Sequence, residues 1–338
     1  MKAMILTAPH IVKAAQTDPP NRQENEVLLK VSYGGICGTD LKIFEGQIKT
    51  NYPLVMGHEI VGSVLERPNG MEVKHSRVIV DPVLFCDDCF YCKNGATNLC
   101  QNGALLGRDK QGGFGEYVTV PFTNIYGLPD SVNDQDASLI QVLTTCMHAQ
   151  RRAKIIKDEV VVIMGIGVTG LLHMQLAKLS GARLVICVTT SSWKHEMAET
   201  LGADAVYRSG KEAEAGIRKL TAGHGADLII ECTGQLSIFS EALNLARFGG
   251  RVMAYGIHTS NGGSFPFYQL YYKELNIINA RAARSQDYPE AIDLVRKEMI
   301  KLSPLVTHIE PLSELPRVLQ MLKDNKQRRM KIIINSSC

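Results

Sequence analysis

The 338-residue chain is long enough for two domains with separate cores. Its 45% apolar and 21% charged residues are those of an ordinary soluble globular protein. With 37 Lys and Arg against 34 Asp and Glu, the scattered net charge of +3 excludes a nucleic-acid footprint and names no partner. Val160 to Ala177 carries no formal charge, but its three glycines and the polar Thr169, His173 and Gln175 argue against a membrane span. The N-terminal stretch, broken by Pro9 and His10, has no cleavage pattern of the secretory kind, so a cytoplasmic protein is expected. Four of the nine cysteines crowd into fifteen residues, which favours metal over a disulfide scaffold, and the odd count fits reduced thiols.

In chain order, residues 1 to about 145 are rich in strand and turn signals. Glu26 to Val31 alternates Val27, Leu29 and Val31 toward one face and predicts a strand. The run GGICGTD that follows predicts a turn, with Gly34, Gly35 and Gly38 around Cys37. Further on, YPLVMGHEIVG sets His58 and Glu59 side by side between two glycines. A thiolate, an imidazole and a carboxylate from two separated loops form a three-ligand zinc set with a coordination position left for water or substrate. Taken singly, Cys37 reads as a small buried residue and His58 as a satisfied polar one; the glycine framing of both favours the metal.

Cys86-x2-Cys89-x2-Cys92-x7-Cys100 comes next. Four thiolates at this spacing wrap one tetrahedral ion with no open position, the structural kind of zinc site. An iron–sulfur run would need a three-residue final gap and a following proline. A nucleic-acid zinc ribbon would pair two C-x2-C knuckles over a longer gap in basic surroundings. Gly112 to Pro121 predicts a bulged strand, and residues 137–153 a helix with Leu139, Leu143 and Met147 on one face. Gln141, Cys146 and His148 on that helix are metal-capable or polar, or are plain helix residues at a domain junction.

From Val160 the pattern becomes strand alternating with helix. VVVIMGIGVTG, followed by Leu171, Leu172, Leu176 and Leu179 at helical spacing, predicts strand, tight turn and helix. Gly165 permits the turn, Gly167 lets the backbone approach a pyrophosphate, and Gly170 lets the helix pack on the strand. The N–H groups of Val168 and Thr169 then face the diphosphate. The glycine pattern alone is weak evidence, but a strand before it, a helix after it and a second strand at 183–188 strengthen it. Strands at 227–232, 251–256 and 275–279, with helices at 194–202 and 238–247, predict an α/β architecture with a doubly wound parallel sheet. A helix over 288–300 follows. The basic cluster Lys323 to Lys331 reads as a solvated helix end before a final strand, 331–334, that returns to the first domain.

With Gly-Ile-Cys37-Gly-Thr39-Asp40, Gly57-His58-Glu59, the four-cysteine lobe and the nucleotide fingerprint all in order, the chain resembles the zinc-containing medium-chain dehydrogenases end to end. Within them it is most similar to the polyol branch of sorbitol, galactitol-phosphate, threonine and sugar-acid dehydrogenases. Asp287-Tyr288-Pro289 and Leu305-Val306-Thr307-His308 resemble that branch too. The resemblance implies a GroES-like, β-rich catalytic domain from residues 1–149 and 281–338, a Rossmann domain over 150–280, and a homodimer or homotetramer. It implies a catalytic zinc on Cys37, His58 and Glu59, beside the structural one, and a proton relay through Thr39, whose plainer reading is a turn-capping hydroxyl. Such a zinc polarises an alcohol oxygen while a hydride leaves carbon for the nicotinamide.

Two positions depart from the branch. Gln141-Val142 stands where the pattern has Glu-Pro, a glutamate that binds the zinc or its water. Lys42 stands where many members place the His that ends the relay; it releases a proton to solvent, binds an anionic substrate group, or is a solvated surface lysine. Arg281 falls where the branch brings the chain back over the cleft, to grip substrate or to form a surface salt bridge. NAD-binding members carry an Asp at the end of the second strand, where this chain has Thr189. The run Thr189, Thr190, Ser191, Ser192, Trp193, Lys194 holds hydroxyls and a lysine without a carboxylate, similar to NADP-using cinnamyl alcohol dehydrogenases. A 2′-phosphate needs donors and positive charge, so NADP is expected over NAD, with helix N-capping as the plainer reading. The resulting expectation is reversible oxidation of a secondary alcohol in a polyol, sugar, sugar acid or cyclitol. A cinnamyl-type aldehyde reductase and a weakly catalytic NADP-binding zinc protein are the alternatives.

Overall fold

The computed structural model describes residues 1–258, 265–324 and 328–337. The chain divides into two compact units, Met1–Thr144 with Arg284–Cys338, and Thr145–Ala283. Among the described residues no helix is long and apolar enough to cross a membrane.

The first unit is built on the strand Glu26–Gly35, whose alternate Val27, Leu29 and Val31 are fully buried. Across its seven-stranded sheet the order is Ile125–Gly127, Arg77–Val80, Glu59–Glu66, Glu26–Gly35, Lys331–Asn335 and Val306–Pro311, with Tyr117–Pro121 paired to the first half of Glu26–Gly35. Val27, Leu29 and Val31 meet Ile60, Val78, Val80, Val118 and Val120 in one core. In a second core Ile36, Ile43, Phe44, Met56 and Phe114 meet Leu315, Val318, Leu319, Ile332 and Ile334. Each such side chain contributes roughly 1.5–3 kcal/mol by burial. The end of the chain is therefore an integral part of this unit.

Four local details differ from the sequence expectation. Gly34 and Gly35 do not turn the chain; they end the strand, because their neighbours leave no room for a side chain. A Cβ at Gly34 would lie 3.1 Å from the Phe114 ring, and one at Gly35 would overlap the Glu59 carboxylate. The turn comes at Cys37, the N-cap of the helix Gly38–Phe44. Of the run 112–121 only Tyr117–Pro121 is strand. Gly112, Gly113 and Phe114 donate instead to the carbonyls of Val55, Gly57 and Met56 at 2.7, 2.9 and 2.9 Å. The expected helix over 137–153 begins at Ile140, after a separate turn Asp134–Ala137 capped by the Asn133 side chain. The helix Leu315–Asp324 was not among the expected elements, although Leu315, Val318, Leu319 and Leu322 recur at helical spacing. Residues 325–327 of the basic cluster lie outside the described residues.

The second unit is a six-stranded parallel sheet in the order Ala205–Tyr207, Leu184–Val188, Val160–Met164, Ala226–Glu231, Ala246–Ala254, Asn276–Asn279. Counted along the chain this is 3-2-1-4-5-6, the doubly wound arrangement whose carboxyl edge carries ligands. Val160–Met164 is buried at every residue, as a central parallel strand covered on both faces requires. Its Val160, Val162 and Met164 share a core with Ile186, Ile229, Phe239, Leu243 and Val252.

Candidate active site

Cys37, His58 and Glu59 come together in the first unit, each offering one ligand atom with all three within 4.8 Å of one another. The sheet brings this about. Glu59 opens the strand Glu59–Glu66 directly opposite Gly35, and Cys37 lies two residues beyond Gly35. His58 and Glu59 are 5% and 1% exposed. One buried carboxylate, Asp40, ties the group together: its Oδ2 accepts the Cys37 N–H at 2.8 Å, and its Oδ1 lies 3.4 Å from His58 Nδ1. An imidazole held through one nitrogen by a carboxylate presents the other to a metal, the arrangement that fixes metal-binding histidines.

Without an ion, the local charges favour an imidazolium and thiolate pair. Burial opposes a charge on His58, but the Asp40 carboxylate and the Cys37 sulfur outweigh it and hold the ring's pKa well above its ordinary value. Burial likewise opposes a thiolate at Cys37, yet the hydrogen bond and charge of His58 hold its pKa below the usual thiol value. Glu59 Oε2 pairs with the Lys331 ammonium, while Oε1 is buried without a hydrogen bond. A thiolate, an imidazole and a carboxylate oxygen lacking a hydrogen-bond partner form a donor set that fits zinc. Thr39 Oγ1 lies 3.7 Å from Cys37 Sγ, and Lys42 is in the last turn of the same helix. Gln141 is 8% exposed in the first turn of the helix Ile140–Ala153, its carbonyl accepting the Thr144 hydroxyl at 2.6 Å.

The four remaining candidate ligands form a second set. Sγ of Cys89 lies 3.5 Å from that of Cys92 and 3.9 Å from that of Cys100, and Cys100 Sγ lies 3.5 Å from that of Cys86. Cys89 caps the short helix Phe90–Lys93, and Cys100 ends the turn Thr97–Leu99. Backbone N–H groups point at the sulfurs. Those of Cys92 and Gln101 bring the Cys89 pKa down to about 6. Four thiols with donated N–H groups and no nitrogen or oxygen ligand fit a closed tetrahedral ion.

In the second unit, Gly165 ends the first strand at φ +92°, where a Cβ would meet Thr233 Cγ2 at 2.5 Å. Nothing lies within 4 Å of a Cβ placed on Gly167, whereas one on Gly170 would overlap the Gly165 carbonyl. The helix Val168–Leu179 begins here, so the N–H groups of Val168 and Thr169 fall at its start. Thr189 and Thr190 follow the second strand, and Ser192 and Lys194 lie in the first turn of the helix Ser192–Thr200. Lys194 Nζ sits 5.6 Å from the centre of the Trp193 ring. Arg281 is exposed and belongs to this unit.

Three residues were missed by sequence reasoning. Asp40 had a signal: a polar N-cap followed three residues on by a carboxylate is a capping pattern. Lys331 had none, since it meets Glu59 only across the sheet. Glu231, fully buried at the end of the fourth strand, accepts N–H groups from Thr233 at 2.6 Å and Gly234 at 3.1 Å and lies 3.2 Å from His258 Nε2. It closes the loop that faces Gly165.

Residues 23–130 match the alcohol dehydrogenase GroES-like domain, and residues 168–297 match the zinc-binding dehydrogenase domain. The chain is 31% identical over 338 residues to L-galactonate-5-dehydrogenase of Escherichia coli K12, covering 99% of this chain and 98% of that one. Among solved structures it is similar to a zinc-binding dehydrogenase of Sinorhizobium meliloti 1021 bound to NADP, at 28% identity and a TM-score of 0.91 over 99% and 98% of the two chains. It is also similar to an alcohol dehydrogenase, RspB, of Escherichia coli CFT073 complexed with NADH, at 29% identity and a TM-score of 0.90 over 99% of each. With both domains matched and relatives aligned along nearly their whole length, the chain belongs to the zinc-type medium-chain dehydrogenases, on their polyol-dehydrogenase-like side.

Proposed function

We propose that this chain is a zinc- and NADP-dependent oxidoreductase that interconverts a secondary alcohol and a ketone on a polyol, sugar, sugar acid or cyclitol. The observation that carries the reading is the buried grouping of Cys37, His58 and Glu59 with a carboxylate oxygen that lacks a hydrogen bond. When bound, zinc polarises an alcohol oxygen as a Lewis acid and the nicotinamide accepts the hydride. Cys37, His58 and Glu59 hold the ion, and Asp40 fixes the ring of His58. Thr39 takes the substrate's hydroxyl proton as its own hydroxyl proton passes on toward Lys42, three residues along the same helix, whose ammonium releases a proton to solvent in exchange. Gln141, a neutral amide, hydrogen-bonds water or substrate and does not act as a ligand. Cys86, Cys89, Cys92 and Cys100 hold a second, structural zinc.

The turn at Gly165, Gly167 and Gly170, with the N–H groups of Val168 and Thr169, cradles the diphosphate. Thr189, Thr190, Ser192 and Lys194 receive the 2′-phosphate, and the lack of a carboxylate in that run supports NADP. Arg281 meets an anionic group of the substrate. A second reading, NAD, is favoured by Lys194 resting over Trp193 and by the NADH-bound neighbour. The substrate class draws support from L-galactonate-5-dehydrogenase and from D-arabitol-phosphate dehydrogenase of Enterococcus avium, 29% identical. A second copy of the chain completes a homodimer or homotetramer. The exposed edge strand Asn276–Asn279 and the exposed Phe267, Tyr268, Tyr271 and Tyr272 support this. The free thiols of both donor sets suit the reducing cytoplasm.

The test is reduction of NADP against NAD over polyols, sugar acids, cyclitols and sugar phosphates, with Glu59→Ala alongside. Zinc-dependent NADP reduction that disappears in Glu59→Ala is the expected result. Preference for NAD overturns the reading of Thr189 to Lys194. Turnover that survives in Glu59→Ala overturns the metal assignment.

A further inference from the structure

Lys331 is a lysine in an unusual place. It opens the last strand, Lys331–Asn335, and is 4% exposed. That strand runs antiparallel to Glu26–Gly35 with Ile333 opposite Gly35, and on the other side of the same central strand Glu59 is also opposite Gly35. Side chains two residues apart share a face of a sheet, so Lys331 projects on the face of Ile333. Gly35, with no side chain, leaves a gap beside Glu59, and Lys331, two residues from Ile333 on the last strand, reaches into it. Across that gap the Lys331 ammonium pairs with Glu59 Oε2, and a second N–H donates to the Ile36 carbonyl at 2.9 Å. A Cβ on Gly35 would overlap Oε2 and sit 3.0 Å from Glu59 Cβ, so the glycine is what lets the pair form. Glu59 Oε1 is left buried and without a hydrogen bond.

We propose that Lys331 is a positioning residue for the Cys37, His58 and Glu59 set: by occupying Oε2 it lets Glu59 offer the metal one oxygen only. The inference rests on the zinc reading above. Its consequence is chemical. A carboxylate that binds through both oxygens takes two positions on the ion, and a catalytic ion needs one of them for substrate. A fixed ammonium on one oxygen prevents that closure and aims the other. Lysine suits the task because its ammonium is a compact point charge with three donors, one for Glu59 and one for the Ile36 carbonyl that anchors it.

The experiment loads the full-length enzyme with cobalt at this set and follows its visible absorption, together with spectral titration by imidazole as a probe of the open position. It compares the parent chain with Lys331→Met, Lys331→Arg, Glu59→Gln and the Glu59→Gln/Lys331→Met double variant. In Lys331→Met the cobalt absorption is expected to weaken as the second oxygen joins, and imidazole affinity to fall ~10–100-fold, the scale of lost second-layer contacts to a metal ligand. Lys331→Arg retains the parent spectrum. In the Glu59→Gln background the lysine substitution changes neither readout, because no anionic second oxygen remains to be held. Parent-like cobalt absorption and imidazole affinity in Lys331→Met overturn the proposal. So does an equal effect with and without Glu59, which marks Lys331 as a strand anchor only; this arm also decides the matter if Lys331→Met alone folds poorly. A parent chain that holds just one metal ion, on the four cysteines, overturns the zinc reading itself.

Discussion

The two metal-donor sets of the first unit are assembled in opposite ways. Cys86, Cys89, Cys92 and Cys100 come from fifteen consecutive residues, of which only Asn98 and Cys100 are buried. Such a loop has almost no apolar core, so under the proposed zinc reading the energy that shapes it comes from the ion. Cys37, His58 and Glu59 are brought together by strand pairing across Glu26–Gly35 and backed by Asp40 and Lys331, all buried except Cys37, which is half-buried. Here strand register brings the three side chains together. On the proposed reading the local set serves stability, and the long-range set is free for chemistry because the sheet, not the ligand, fixes its geometry.

Removing a donor from each set is the strongest way to break this distinction. His58→Ala is expected to lower turnover about a thousandfold or more, the scale of several kcal/mol of Lewis-acid polarisation, with the calorimetric unfolding midpoint nearly unmoved. Cys100→Ser should do the reverse, lowering unfolding free energy by about 4 kcal/mol or more while the folded fraction keeps its turnover. Equal losses of stability in the two variants would erase the contrast.

Asp81 sharpens it at the join between sheet and loop. It is 1% exposed just after the strand Arg77–Val80, and Oδ1 accepts the Val83 N–H at 3.0 Å and the Tyr288 hydroxyl at 3.4 Å. Burial outweighs these hydrogen bonds, and with Asp287 nearby it raises the carboxyl pKa from 3.8 to about 7. The folded chain therefore binds more protons than the unfolded one between those values. This contribution to stability is full below about pH 4 and fades as the pH rises toward 7, by up to about 4 kcal/mol at 1.36 kcal/mol per unit. Urea unfolding at pH 5 and pH 7.5 should show the difference between parent and Asp81→Asn shifting in favour of the variant at the higher pH. A constant difference would mean that Asp81 is not protonated in the fold. The smallest effect is expected for Gly35→Ala, which pushes the Glu59 carboxylate off its seat. Chelator competition should show metal affinity at the long-range set falling ~10–100-fold, with the four-cysteine ion retained.

Which parts were legible in the sequence follows from the same contrast. The four cysteines are close in the chain, so their spacing alone described the cluster, and the glycine fingerprint announced a strand, turn and helix that the second unit contains. Cys37, His58 and Glu59 were each visible as metal-capable residues, but their meeting was not, because it depends on the register that sets Glu59 opposite Gly35. Gly34 and Gly35 were misread as a turn for a related reason. Glycine permits a turn and also permits close packing within a strand, and only the Phe114 ring and the Glu59 carboxylate decide between the two. Lys331 looked like the end of a basic surface cluster, since charge along the chain carries no information about a partner almost three hundred residues away.

The placement of the last strand bears on how the protein is made. The central strand Glu26–Gly35 and the neighbour on one of its edges, Lys331–Asn335, are separated in the chain by the whole of the second unit, so the edge is filled only after that unit has been synthesised. Until then that edge has no partner and Glu59 has no ammonium beside it. A chain cut before Lys331 would thus carry all seven candidate metal donors while lacking the ammonium that pairs with Glu59.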